Sequence, residues 1–144
     1  MTIAAILRHK GNDVARVAPT ATIAEVVKRL AQKRIGAILV MDTADQLLGI
    51  VSERDIVGSL AEHGQATLDM TAAQLMTRGL HTATAQTTVV QAMEQMTTRR
   101  VRHFPVLDGA RLLGIVSIGD IVKARLDQQE QEVDSLKAYV AGAA

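Results

Sequence analysis

The stretch that decides the fold is Gly49-Ile50-Val51-Ser52-Glu53-Arg54-Asp55-Ile56-Val57, and it recurs 65 positions later as Gly114-Ile115-Val116-Ser117-Ile118-Gly119-Asp120-Ile121-Val122. Seven of the nine residues are the same in both copies, so chance is a poor explanation. Internal repetition indicates a structural unit that is built twice. Each copy is typical of an apolar strand that runs directly into a helix. We therefore expect two similar α/β units in this chain.

The serine and the aspartate at each strand–helix junction have two interpretations. The first turn of a helix leaves N–H groups unpaired and carries partial positive charge, so together with Ser52 or Ser117 it suits a phosphate. Asp55 and Asp120 are acceptors suited to paired hydroxyls such as a ribose diol. Alternatively, each serine is an N-cap and each aspartate completes a capping box, which needs no ligand. The duplication favours the ligand interpretation.

The composition is that of a soluble globular chain without cysteine chemistry. Hydrophobic residues make up 48% and charged residues 22% of 144 residues, and the net charge is +1. This charge indicates neither nucleic acid nor an acidic partner. The chain has no cysteine, which excludes disulfides and thiolate metal sites. Its longest apolar run, Ile35 to Met41, is too short for a bilayer, so we expect no membrane contact and a cytoplasmic location.

The first half of the chain predicts one β-α-β-β-α unit after a short helix. Helical spacing, strand alternation and turn residues place its elements in order. The predicted elements are a helix over 2–9, a strand over 14–17, a helix capped by a Thr22–Glu25 capping box, strands over 37–41 and 47–51, and a helix over 53–63 that Gly64 ends.

The second half predicts the same order, with a strand over 81–84, a helix from Thr88, a strand over 104–107, a turn at 108–109, a strand and a helix. Equivalent positions lie 66 apart before that turn and 65 apart after it, because the second turn is one residue shorter. We therefore expect four segments: repeat 1 over 10–64, a connector with a short helix over 65–79, repeat 2 over 80–126, and a helical tail over 127–144.

The tail continues the last predicted helix and carries a repeating apolar pattern. The residues Val122, Leu126, Gln129, Val133, Leu136 and Val140 are spaced 4, 3, 4, 3 and 4 apart. This is a heptad pattern with one polar position, which is typical of a helix that pairs with a second copy. An amphipathic tail that folds back on its own domain is the alternative.

The doubled Gly-apolar-x-Ser-x-x-Asp segment, the capped helix and strand before each copy, and the joint Gln74-Leu75-Met76-Thr77 with Thr82-Ala83-Thr84 together resemble a tandem pair of CBS domains, the Bateman module. The resemblance covers residues 10–126. It implies two repeats packed with pseudo-twofold symmetry into a disc, with two clefts between them. It also implies adenosine-containing ligands (AMP, ADP, ATP, NAD or S-adenosylmethionine), a homodimer and a regulatory role toward an effector protein that the sequence does not name.

The resemblance also assigns residues to the two clefts. In one, Asp120 would accept the ribose hydroxyls, Ser117 would contact the first phosphate, and Arg102 and His103 would face phosphate. The adenine there would lie against residues of the first repeat, namely Gly36, Ala37, Ile38 and Ala15. The other cleft would use Ser52, Arg54 and Asp55, with a wall that includes Thr82. Gly36 and Ala37 occupy the positions in the first repeat that the basic pair Arg102 and His103 occupies in the second repeat. The other cleft therefore lacks an equivalent basic pair, and we expect the Asp120 cleft to bind more tightly.

Two functional hypotheses follow. The first is a stand-alone regulatory module that binds an adenosine-containing ligand, with AMP as the first choice, and signals energy or redox state to a partner. The alternative is a ligand-free structural module that acts through dimerisation. Catalysis, a catalytic cofactor and a metal site are not expected, because the chain shows no nucleophile motif or glycine-rich phosphate loop and its histidines are scattered.

Overall fold

The computed structural model describes residues 1–11 and 13–143, in which helices and strands alternate as expected for two α/β repeats. The elements are α1 (Ile3–Lys10), β1 (Arg16–Val17), α2 (Ile23–Lys33), β2 (Ala37–Met41), β3 (Leu47–Ser52), α3 (Glu53–His63), a 3-10 helix (Gly64–Asp69), α4 (Ala72–Leu75), α5 (Val89–Arg99), β4 (His103–Asp108), β5 (Arg111–Ser117) and α6 (Ile118–Ala143). The predicted fold class and the C-terminal helix are confirmed.

The chain forms two compact units. The first-repeat unit consists of Asp13–His81 with Gly109–Leu112, and the second-repeat unit consists of Met1–Asn12, Thr82–Asp108 and Leu113–Ala144. Each unit has its own hydrophobic cluster. Ile23, Val26, Ile38, Val40 and Val51 are buried in the first, and Ile3, Val89, Phe104, Val106 and Ile121 are buried in the second.

The helix that completes each unit precedes the other repeat in the chain. In the second-repeat unit, the N–H of Ile3 donates to the carbonyl of Thr87 at 2.9 Å, and Ile3 and Leu7 are buried in that unit's cluster. In the first-repeat unit, the N–H of Ala72, at the start of α4, donates to the carbonyl of Ala21 at 2.7 Å. The two repeats therefore exchange their leading helices.

The strands form a three-stranded sheet, β1-β2-β3, and a two-stranded sheet, β4-β5. In the first sheet, β1 is parallel to β2, and β2 is antiparallel to β3 with Ala37 opposite Ser52. The predicted strand over 81–84 is reduced to one parallel bridge between Ala83 and Val106. Pro105 accounts for the difference, because a parallel ladder extended toward residue 81 needs a backbone N–H at position 105, and proline has none.

The helix caps agree with the sequence in part. Thr2 precedes α1, but its side chain makes no capping hydrogen bond within the described residues. The side chain of Thr22 accepts from the N–H of Glu25 at 3.2 Å, but within the described residues the reciprocal bond of the predicted capping box is not formed. Thr88 forms the complete box with Gln91. The tail does not fold back on its domain, since residues 129–142 are all exposed.

Candidate ligand-binding site

The junction between β5 and α6 holds Ser117 and Asp120 in fixed geometry. The N–H of Ser117 donates to Oδ2 of Asp120 at 2.9 Å, and the N–H of Asp120 donates to Oγ of Ser117 at 3.1 Å. Ser52 and Asp55 form the same reciprocal pair at the start of α3, at 2.9 Å and 3.2 Å. The capping-box interpretation is therefore confirmed in both repeats. Because a capping box occupies only part of a carboxylate, the ligand interpretation stays a prediction.

Asp120 is also ion-paired with a residue that the sequence did not indicate. Nζ of Lys10 lies 2.7 Å from Oδ2 of Asp120, and the same ammonium donates to the carbonyl of Ile115 at 3.0 Å. The side chains of Lys10 and Asp120 are 36% and 26% exposed, so the pair is partly shielded from water. The hydrogen bonds from the N–H of Ser117 and from the ammonium of Lys10 both end on Oδ2 of Asp120.

The pKa of Asp120 reflects this environment. Burial raises the pKa of its carboxyl, but the hydrogen bond from Lys10, the backbone N–H of Ser117 and the positive charge of Lys10 outweigh burial and hold the pKa below its ordinary value. Asp120 is therefore an anion at neutral pH. An anionic carboxylate can accept hydrogen bonds from two hydroxyls at once.

The equivalent carboxylate, Asp55, is satisfied by protein hydroxyls on both of its oxygens. Its Oδ2 accepts from the hydroxyl of Ser52 at 2.9 Å, in addition to the Ser52 N–H, and its Oδ1 lies 3.4 Å from the hydroxyl of Thr77. A ligand at Asp55 would have to displace these hydroxyls. The two aspartates are equivalent in sequence but differ in the groups that donate to their oxygens.

A cavity of about 520 Å³ lies beside Asp120, within the second-repeat unit. Its volume is within the range of small-molecule sites. Met1 and residues from α1 and α6 line it, namely Met1, Ala5, Ile6, His9, Lys10, Asp120, Lys123, Ala124, Asp127 and Gln131. Lys10 and Lys123 place two ammonium groups in its wall and Asp120 and Asp127 place two carboxylates there, so the wall offers both cations and hydrogen-bond acceptors. None of the α1 residues shows a local sequence signal for this role, because Lys10 is 110 positions away from Asp120.

The structure places the predicted basic pair at the start of β4. Arg102 is exposed and His103 is half-buried. The carbonyl of Arg102 accepts from the N–H of Ile118 at 2.8 Å, and in the first repeat the carbonyl of Gly36 accepts from Glu53 at 2.9 Å. Arg102 and Gly36 therefore occupy equivalent positions, as the alignment of the repeats predicted.

The other predicted site residues divide between the two units. Thr82 is exposed and belongs to the second-repeat unit. The remainder belong to the first-repeat unit, where Arg54 is exposed, Ala15 and Gly36 are half-buried, Ala37 is buried and Ile38 is completely buried in the core. The roles of these residues in binding stay predictions.

The described residues contain neither a metal-binding cluster nor a membrane-spanning helix. Over residues 1–11 and 13–143, no group of three or more His, Cys, Asp or Glu side chains is arranged to hold a metal ion. No helix in the same residues has the length and the apolar character that crossing a bilayer requires.

Comparison with known proteins places both repeats in one family. The model of the CBS domain matches this chain twice, over residues 5–62 and 72–127. A CBS-domain-containing protein from Agrobacterium tumefaciens is 41% identical to this chain, with a TM-score of 0.84 over 86% of this chain and 92% of that chain. A CBS domain protein from Pyrobaculum aerophilum, solved in complex with AMP, is 28% identical, with a TM-score of 0.73 over 83% and 89% of the two chains.

A curated relative from Arabidopsis thaliana, the mitochondrial CBS domain-containing protein CBSX3, is 35% identical over 125 residues. The match covers 84% of this chain but 61% of the relative, so this chain spans less than two thirds of that protein's length. The doubled motif, the two α/β units and the two matches of the family model agree. The chain belongs to the CBS domain family and carries a tandem pair of CBS domains.

Proposed function

We propose that this protein is a regulatory sensor that binds an adenosine-containing ligand at Asp120 and performs no chemistry of its own. The observation that carries the proposal is the half-buried, anionic carboxylate of Asp120, which lines a cavity of about 520 Å³. A ribose diol fits such an acceptor, because each hydroxyl donates one hydrogen bond. The complex of the Pyrobaculum relative with AMP supports the same ligand class, and AMP is the first choice here.

Lys10 has a defined part in this proposal. Without ligand, its ammonium neutralises Asp120 at 2.7 Å. Ribose hydroxyls that bind Asp120 compete with this ammonium, and a lysine side chain is long enough to turn toward a phosphate on the same ligand. Lys10 therefore opposes the binding of a nucleoside and assists the binding of a nucleotide. The backbone N–H groups at the start of α6 and the side chains of Ser117, Arg102 and His103 supply further phosphate donors in this proposal.

The remaining contacts follow the resemblance to the family. Adenine would pack against Ala15 and Gly36 of the first repeat and against the backbone of Ala37 and Ile38, whose side chains are buried. A second site at Ser52, Arg54 and Asp55, with Thr82 in its wall, would bind more weakly, because both oxygens of Asp55 already accept hydroxyl hydrogen bonds.

Signalling would use differential affinity. A ligand that prefers one arrangement of the repeats, or of two copies in a homodimer, stabilises that arrangement, and an effector protein responds to it. ADP, ATP, NAD and S-adenosylmethionine remain ligands to compare with AMP. The cytoplasmic location also stays a prediction, since one relative is named as mitochondrial.

Calorimetric titration of the ligand-stripped protein with AMP and with adenosine tests the proposal. The Asp120→Asn variant should bind AMP about 10- to 100-fold more weakly, since hydrogen bonds to a charged group are worth about 1.5 to 3 kcal/mol. Asp55→Asn is the matched control, because it makes the same chemical change at the equivalent position, and we expect a smaller effect. Lys10→Met should bind adenosine more tightly than the unaltered protein does and should lose part of the preference for AMP.

A thermal-shift panel with AMP, ADP, ATP, NAD and S-adenosylmethionine precedes the titrations, because a ligand that binds only the folded state raises the apparent stability. A shift with none of them would favour the ligand-free dimerisation module. Unchanged AMP affinity in Asp120→Asn would show that this carboxylate does not hold the ribose. Unchanged adenosine affinity in Lys10→Met would show that Lys10 does not compete with the ribose, and it would leave the role of Asp120 in the proposal unaffected.

A further inference from the structure

One face of α6 carries apolar side chains that its own unit leaves uncovered. We call the residues Val122, Leu126, Gln129, Val133, Leu136 and Val140 the tail seam. Leu126 is 59% exposed, Leu136 is 63% exposed and Val140 is 62% exposed. On the other side of the same helix, Ile121 and Ala124 are buried in the core of the second-repeat unit. The helix is thus anchored at its start and presents one uncovered apolar stripe along its length.

We propose that the tail seam pairs with the same seam of a second copy, as a parallel, in-register, two-stranded coiled coil. This inference specifies the contact of the homodimer in the proposed function, and it does not depend on ligand binding. The spacing of the seam alternates between 4 and 3 residues, which keeps every seam position on the face toward the partner helix. With Leu126 as an a position, Val133 and Val140 are also a positions, and Gln129 and Leu136 are d positions.

The charges beside the seam favour the parallel orientation. In a parallel pair, each g position lies beside the e position five residues later on the other helix. Arg125 of one copy then lies beside Glu130 of the other, and Glu132 lies beside Lys137. Each contact occurs twice in a symmetric dimer, so the parallel arrangement contains four attractive pairs.

The antiparallel register that pairs all six seam positions brings like charges together. The antiparallel register that aligns the apolar positions places Gln129 opposite Val133 and Leu126 opposite Leu136. In that register Glu130 lies near Glu130 and Glu132 lies near Glu132 of the other copy, while Lys123 lies near Lys137. Like charges at these positions oppose pairing, so electrostatics selects between two arrangements that the apolar residues alone would both allow.

Gln129 contributes to the register. In the parallel arrangement the two Gln129 amides meet in the same layer, where each can donate to and accept from the other. A register shift would place an amide against Leu or Val without a partner, which is unfavourable in a desolvated layer. The seam spans about three heptads, so we expect a weak dimer that depends on protein concentration, although the anchored start of α6 reduces the entropy lost on pairing.

Charge reversal tests both the contact and its orientation, with sedimentation velocity of the full chain over a concentration series as the measurement. Glu132→Lys and Lys137→Glu each convert an attractive parallel pair into a repulsive one, so each should weaken the dimer at least about tenfold. An equal mixture of the two variants restores both attractions and should form a heterodimer. Asp134→Lys, which makes the same charge change as Glu132→Lys away from the e and g positions, is the matched control and should retain the dimer. Circular dichroism checks that each variant keeps its helix content.

The same variants would give a different result if the two helices were antiparallel. In the antiparallel register Lys137→Glu would replace a repulsion between Lys137 and Lys123 by an attraction, so a stronger dimer in this variant would overturn the proposal. Because the chain has no cysteine, Val140→Cys gives a second measurement. Oxidation should link two copies in the parallel pair, whereas the antiparallel register separates the two thiols by about 27 Å at 1.5 Å per residue.

The wild-type protein itself gives the remaining outcomes. A monomer at every concentration would overturn the homodimer in the proposed function together with this inference. A dimer that none of the tail variants changes would overturn only the tail seam as its contact.

Discussion

Replacing the leading glycine of each repeated motif by alanine tests how closely the exchanged segments pack. A Cβ atom at Gly49 would lie 2.7 Å from the backbone carbonyl oxygen of Thr77 and 2.7 Å from Sδ of Met76. A Cβ at Gly114 would lie 2.8 Å from a methyl group of Leu7, and the next nearest atoms of that side chain are 3.9 Å away. Both glycines face the helix or segment that precedes the other repeat, but the obstacles differ.

The two obstacles lead to different expected losses of unfolding free energy. Ordinary contact begins at 3.4 Å, so the Thr77 carbonyl would have to move by about 0.7 Å, and overpacking of this kind costs about 1 to 3 kcal/mol. The Leu7 methyl group can turn aside, so the cost at Gly114 should be about 1 kcal/mol or less. Both variants gain about 0.4 to 1 kcal/mol because alanine restricts the unfolded chain. We expect Gly49→Ala to lose about 1 to 2 kcal/mol of unfolding free energy and Gly114→Ala to stay within about 1 kcal/mol of the wild type.

Urea unfolding measures these values, and Gly58→Ala is the control. A Cβ at Gly58, in α3, would meet no atom within 4 Å, so this variant should gain about 1 kcal/mol from helix propensity. For a chain of this size, 2 kcal/mol corresponds to a decrease in Tm of about 8 °C. If Gly114→Ala lost as much stability as Gly49→Ala, the contrast between the rigid carbonyl of Thr77 and the mobile methyl group of Leu7 would be refuted as the factor that sets the loss.

Two further predictions concern caps and pH. Thr88→Ala and Thr22→Ala should each cost about 1 kcal/mol, because each removes the hydroxyl that accepts from the N–H three residues later, at 3.0 Å and 3.2 Å; urea unfolding of both variants at the same pH measures the losses, and no loss in either variant would contradict the capping role. The pKa of Asp120 is lower in the folded state than the ordinary 3.8, so its contribution to stability is complete above that pH and is lost as the pH falls through the folded-state pKa. The wild type should therefore lose its advantage over Asp120→Asn only in acid, and a difference that disappears near neutral pH would refute the ion pair as its source.

Local signals accounted for most of the secondary structure. The spacing of Val89, Ala92, Met93 and Met96 predicts one face of α5. Val89, Ala92 and Met96 are buried, and Met93 is partly buried against the same cluster. The 3-10 helix Gly64–Asp69 was not predicted, because it lacks helical periodicity and depends on a buried hydrogen bond of 2.9 Å between Thr67 and Ser59. That bond joins two elements, so no property of residues 64–69 alone predicts it.

In the candidate site, too, local sequence signals predicted some residues, and contacts between distant elements decided another. Repetition of the motif identified Ser117 and Asp120, and the structure places them in one hydrogen-bonded pair. Lys10 was missed, although its ammonium lies 2.7 Å from Asp120. A lysine at the end of a short surface helix has the same local pattern whether or not it meets a carboxylate, and the predicted helix over 2–9 was assigned to neither repeat.

The sequence by itself determined that two α/β repeats exist, where their strands run into helices, and which serine and aspartate cap those helices, because periodicity and capping act over a few neighbouring residues. Only the tertiary structure decided that α1 completes the second-repeat unit and α4 the first-repeat unit. Ile3 and Leu7 show merely that α1 has an apolar face. Which cluster buries that face depends on the shape and volume of residues about 80 to 120 positions away, and this choice brings Lys10 to Asp120.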